Sequence, residues 1–164
     1  MDLPAKLQDR PLTALTEYLQ DGLNDRVWAI FDAAGEPRQN AVNAATVGRV
    51  DLRTQKTFPL LSVAKPDIIN AQAGLWGGEI RWHVAMSTKG METQHHLMDA
   101  IERILVDLLL AYNDSEQPCL MIDIQSPITG SLNYITIFRG NDATALSFPV
   151  LELRFRFTDL EPAP

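Results

Sequence analysis

The chain is short of the residues that usually announce chemistry. One cysteine, Cys119, stands among 164 residues, so an internal disulfide is excluded and a reducing compartment suits the protein. It lies in an apolar run, residues 119–122, where free cysteine reads as a small hydrophobe. Positive charge is scarce: 14 Lys and Arg against 21 Asp and Glu give a net charge of -7, and no basic cluster is present. Gripping a phosphate backbone needs clustered Lys and Arg, so this composition argues against specific nucleic-acid binding. No apolar run approaches the roughly 20 residues that span a bilayer. The opening MDLPAKLQDR lacks the apolar stretch of a signal peptide. The expectation is a soluble, unexported protein without a membrane partner.

What is present suits a folded domain. Hydrophobic residues make up 46% and charged residues 21%, the usage of ordinary globular proteins and not of disordered chains. The length fits one domain, 1–164, with a core of its own. Periodicity supplies the elements. Leu12, Leu15, Leu19 and Leu23 recur at helical spacing after Arg10 and Pro11, predicting a helix that ends by Asn24 or Asp25. Residues 27–31 are short and apolar like a strand, and 33–50 has no clear period, reading as a loop or an inter-subunit arm. Residues 56–63 read as a strand in which Pro59 cannot donate to a ladder, favouring an edge or a strand start.

Gly74, Gly77 and Gly78 mark a turn, and Ile80, Trp82, Val84 and Met86 then alternate with Arg81, His83 and Ala85 as a strand. The longest helix is predicted from Met91 to Tyr112, with Leu97, Ile101, Ile104, Leu105, Leu108 and Tyr112 as its buried stripe and Asp99 and Arg103 spaced for an ion pair outside. Three strands follow, around Leu120–Ile124, Asn133–Arg139 and Val150–Phe157, the last two joined as a hairpin by the turn residues 139–143; the tail 161–164 is expected to be loose. Leu151, Leu153, Phe155 and Phe157 should face the core while Glu152, Arg154 and Arg156 face away. The predicted architecture is α+β: one twisted, mainly antiparallel sheet flanked by an N-terminal helix and a long central helix.

The constellations that would carry chemistry are thin. His95 and His96 have Asp99 and Glu102 along the same helix, but adjacent histidines diverge by about 100° and no His-Glu-x-x-His pattern is present, so a solvated helix face is the preferred reading. The stretch 74–78 precedes a strand instead of opening a helix and lacks nucleotide-binding spacing. Thr129-Gly130-Ser131 forms no nucleophile elbow, and Cys119 has no activating neighbour in sequence. The reading is therefore no catalytic residue, no metal and no cofactor. Interaction candidates remain: Phe58 and Pro59 at a strand start, Trp76 as an aromatic anchor, and the row Glu152, Arg154 and Arg156, which would suit cross-strand or cross-subunit pairing.

The element order, with Thr57-Phe58-Pro59-Leu60, a Gly-rich loop, an alternating strand before a long helix, and the closing strands 131–138 and 148–157 followed by Thr158-Asp159, resembles the tail terminator (tail completion) proteins of tailed bacteriophages across roughly residues 12–159. The resemblance implies a virion protein of the tail or neck, assembled in the host cytoplasm, that is not an enzyme. It implies a homohexameric ring that caps the tail tube, ends its polymerisation and meets a head-side connector or stopper protein, with sheath a further partner. DNA would pass through without specific binding. Competing readings are another neck or head-to-tail connector protein, or a small oligomeric enzyme or ligand-binding domain using His83, His95 or His96.

Overall fold

The computed structural model describes residues 10–38, 41–51, 55–83, 91–138 and 145–159, with backbone alone at 91–97, 134–138 and 145–148. The expectations for the His95 and His96 side chains, Val84 and Met86, the connector 139–143 and the tail lie outside these described residues. The elements follow in the order α1 (Arg10–Ala34), β1 (Ala44–Val47), β2 (Leu60–Asn70), β3 (Leu75–His83), α2 (Met91–Tyr112), β4 (Leu120–Ile122), β5 (Thr129–Phe138) and β6 (Ala145–Asp159). The expected α+β class holds: one mixed sheet runs β1-β2-β3-β6-β4, with β5 also on β6. Only β1 against β2 is parallel. No described helix is long and apolar enough to cross a membrane.

The first helix is longer than its sequence suggested. The run 27–31 is not a strand, because Val27 continues the buried series Leu15, Leu19, Leu23 in steps of four and Phe31 packs against the same core. The helix stops where its backbone geometry demands glycine. Gly35 sits at φ 71, its N–H bonds to the Asp32 carbonyl at 3.2 Å, and the Glu36 N–H reaches Phe31 O at 3.0 Å. That is a Schellman closure, which satisfies carbonyls the helix end would otherwise leave open.

The stretch 33–50 also departs from expectation, since part of it is built into the chain's own fold. Ala41 and Val42 are buried, Asn24 exchanges two hydrogen bonds with the Val42 backbone, and Trp82 Nε1 donates to Ala41 O at 2.8 Å. Ala44–Val47 then pairs with Leu60–Val63 as β1. Sequence periodicity missed this because a four-residue strand carries too short a pattern to read. Pro59 directly precedes β2 after a cis Phe58–Pro59 bond, and its carbonyl accepts from Asn43 and Ala44. It is a strand start, as one of the two expectations had it, while the other, an edge, fails at 60–63 because β1 covers that side.

Gly77 and Gly78 belong to β3, not to the turn, which is confined to 71–74 with Gly74 at φ 65. A Cβ on Gly78 would stand 2.3 Å from the Phe155 ring, so the glycine makes room for an aromatic from β6. The long helix α2 has the predicted bounds, and Ile101, Ile104, Leu105, Leu108 and Tyr112 are all buried. It meets α1 closely at Gly22, where any Cβ would lie 2.6 Å from Leu108 Cδ2, and through an edge-on Tyr18–Tyr112 pair at 5.0 Å. Both helices share one apolar cluster with Leu61, Ile80, Trp82, Leu151, Leu153, Phe155 and Phe157. Those residues occupy one face of the sheet, as the register places them opposite one another across β2, β3 and β6. Each fully buried large apolar side chain contributes about 2 kcal/mol.

Candidate interaction surface

The sheet face away from the helices holds the polar features of the molecule. Its rows follow from the register: Leu60, His83 and Val150; then Ser62, Arg81 and Glu152; then Ala64, Glu79 and Arg154; then Asp67, Gly77 and Arg156. Side chains two apart on a strand share a face, so the alternation Glu79, Arg81 on β3 meets Glu152, Arg154 on β6 with the signs reversed. Arg81 Nε lies 2.8 Å from Glu79 Oε1 and 3.1 Å from Glu152 Oε1. Arg154 reaches Glu79 Oε2 at 3.1 Å and Asp67 Oδ2 at 3.7 Å. Asn133 on β5 extends the row by donating to Glu152 at 3.1 Å.

Glu79 is the centre of this network at 1% exposure. Its two oxygens and Arg81 Nε are close enough to attract but are not aligned as hydrogen bonds. The contacts are therefore ion pairs held by register, and both guanidinium partners keep access to water, which softens the desolvation cost of the carboxylate.

At the end of the same face, His83 is 2% exposed and its Nε2 stands 3.4 Å from Ser62 Oγ. Burial pushes the imidazole pKa down from 6.5 to about 4, and the Arg81 charge pushes the same way. A serine beside a histidine invites a catalytic reading, but Ser62 is as buried as His83, and Nδ1 has no hydrogen-bond partner among the described residues to orient the ring. The pair is a packed polar contact in a closed row. Among the described residues no group of three His, Cys, Asp or Glu is placed to hold a metal.

An open cleft of about 480 Å³ follows along this face, between the β2–β3 end of the sheet and the loop that joins β4 to β5. Gly77 leaves its floor bare; Asp67, Arg154 and Arg156 stand around it, with Pro127 and Thr129 on the loop side. The loop is preformed. Asp123 N donates to Arg156 O at 2.7 Å, and the Asp123 carboxylate accepts from Gln125 N, Ser126 N and Ser126 Oγ. Those donors, the Ser126 hydroxyl foremost, hold the Asp123 carboxyl below the usual carboxylate range.

The six residues singled out from sequence do not form one patch. Glu152, Arg154 and Arg156 fall together on the face just described, two of them engaged within the chain's own network. Trp76 lies on the helix-side face, opposite Phe157, partly buried, bonded through Nε1 to Asp159 at 2.9 Å and capped by Lys65 at 4.8 Å. Phe58 and Pro59 sit before the opposite end of the sheet, where Leu60 pairs with His83, whereas Trp76 pairs with Ile68. Sequence reasoning missed Glu79 and Asp67, since nothing in a linear pattern shows which charges a sheet register will juxtapose. Cys119, read as a small hydrophobe in an apolar run, is half-buried just before β4.

The two long edges of the sheet differ. Beyond Val63, β2 has no outer partner among the described residues, but that stretch carries Lys65, Pro66 and a register shift between Ala64 and Asp67. Lysine, proline and bulges are the usual guards of an edge. On the other side, β4 and β5 lie in succession along β6, and β5 presents ten residues, TGSLNYITIF, with no charge and no proline. No described residue pairs with its outer side. Leu132 is 45% exposed there. Compared with known proteins, the chain matches no family model and no curated protein.

Proposed function

We propose that this chain is a structural virion protein of a tailed bacteriophage, a tail terminator subunit that assembles as a ring, caps the tail tube and meets the head-side connector. The observation that carries the reading is the contrast between the guarded free half of β2 and the unguarded, uncharged β5. An exposed strand edge without lysine, proline or bulge is a template for another chain, and a protein that stays monomeric protects it. Among the described residues one free edge is guarded and the other is bare, which supports β5 as a docking edge for another copy. Two different edges meeting head to tail generate a ring when the rotation closes, and a short β1 at the opposite margin supplies the second edge. Function on this reading is binding, with no bond made or broken.

The direct test is the assembly state of the purified chain by light scattering and negative-stain imaging, alone and with tail tube protein. Six-fold rings that stop tube growth support the proposal. Rings that ignore the tube but bind a head-side connector support a neck connector protein instead. A monomer at high concentration that binds neither partner overturns both. Leu132→Lys should weaken self-association about tenfold or more while leaving the monomer's unfolding midpoint nearly unchanged, because it puts a desolvated charge on the edge.

A further inference from the structure

We propose that the cleft over Gly77 is a binding site for a carboxylate side chain presented by an extended peptide segment of a partner protein, with Arg156 as its anchor. The cleft volume, about 480 Å³, is within the range of ligand sites, and its open form suits a segment laid across it better than a molecule enclosed by it.

The charge arrangement selects the ligand. Arg154 is engaged by Glu79 and Asp67, so its charge is compensated and it gives the cleft a fixed wall with few free donors. Arg156 has the same orientation two residues on, yet its guanidinium forms no salt bridge or hydrogen bond with any described residue. The Asp123 carboxylate feels the Arg156 charge without pairing with it, because its oxygens are spent on Gln125 and Ser126 of its own loop. A planar guanidinium with free donors beside a preformed wall matches a carboxylate bidentately.

Three features disfavour a phosphate or a polyanion. The net charge is -7, Asp67 lines the same cleft, and the strand residues forming the floor spend backbone N–H groups in the sheet ladder, leaving no nest of donors. Thr129 also lines the cleft, and Ile69, 40% exposed, and Pro127 offer apolar rims for the neighbouring residues of a peptide. Gly77 is what keeps the site open: a side chain there would meet Asp67 Cβ at 3.0 Å and fill the gap between Asp67 and Arg156.

The site does not depend on ring formation, so its test stands apart from the one above. The full chain, isotopically labelled, is titrated with an N-acetylated, C-amidated Ile-Glu-Ile peptide and followed by amide chemical shifts. The proposal expects shifts centred on Gly77, Thr129 and Arg156, binding at least about tenfold weaker for the Ile-Gln-Ile peptide and for Arg156→Ala, and partial recovery in Arg156→Lys. Arg156 is exposed, so the alanine variant should fold, and its unshifted spectrum elsewhere verifies that. Equal binding of the glutamine peptide, shifts mapped to β5 instead, or tighter binding of inorganic phosphate than of the peptide would each overturn it. Binding of glutarate with no response to the peptide would overturn the peptide assignment in favour of a small-molecule site.

Discussion

On the helix-covered face of the sheet, Leu61, Ile80, Trp82, Leu153 and Phe157 are closed to solvent in one continuous apolar cluster. On the opposite face Glu79 and His83 are closed just as completely, yet one belongs to a five-residue ion network and the other keeps a ring nitrogen without a hydrogen-bond partner among the described residues. Apolar burial is non-directional, so the first face tolerates small shifts and is stabilised in proportion to area. The second face works only in one register, because sliding β6 by one residue would turn Glu152 and Arg154 to the helices. The apolar face supplies stability; the charged face fixes how the strands align, and with them the cleft at Gly77.

The contrast is open to attack by substitution. Trp82→Ala strikes the apolar face and removes the indole bond to Ala41, and should lower unfolding free energy by about 3–5 kcal/mol in denaturant titration. A loss below about 1 kcal/mol would mean that the helix side is not the main source of stability.

Acid should act on the other face through His83. Its folded pKa is depressed, so the neutral ring is what the fold accepts; this contribution is complete above the unfolded pKa of 6.5 and is lost as pH falls from there towards about 4. The expected loss at the acid end is about 3 kcal/mol. His83→Phe should flatten that part of the stability profile relative to the parent chain, and an unchanged acid limb would show that the buried ring does not drive it.

Glu79→Gln leaves Arg81 and Arg154 short of a counter-charge and should cost about 2 kcal/mol. Replacing Glu79 and Arg81 together by leucine should recover part of the loss, since an apolar pair needs no charge compensation. If the single and double variants are equally unstable, the network's value lies elsewhere than in pairing. The smallest effect is expected at Arg156→Ala, within about 0.5 kcal/mol of the parent by thermal unfolding, because the side chain is exposed and acts on the described fold only through a screened attraction to the Asp123 carboxylate. A large loss there would make Arg156 part of the structural network instead of a free anchor.

Much of this architecture was legible before any coordinates. The α2 stripe from Ile101 to Tyr112 and the alternation from Leu151 to Phe157 repeat over many residues, and a long period leaves little choice of element or buried face. Short segments were not legible. Residues 27–31 read as a strand because β-branched and aromatic residues dominate so brief a window, and only the continuation of the leucine stripe through Val27 makes them helical. The candidate surface was half visible: Glu152, Arg154 and Arg156 announce a charged strand face, but their partners Glu79 and Asp67 are dozens of residues away.

By itself the sequence determined the elements with long periods, the α+β class and the side of β6 that would be buried, because periodicity is a local property of the chain. Tertiary structure alone decided that 41–47 docks on Trp82 and β2, that β2 is guarded while β5 has no outer partner among the described residues, and that a glycine opens a cleft between Asp67 and Arg156. These are consequences of strand order and register, and both are set by contacts between residues far apart in the chain, where local pattern carries no information.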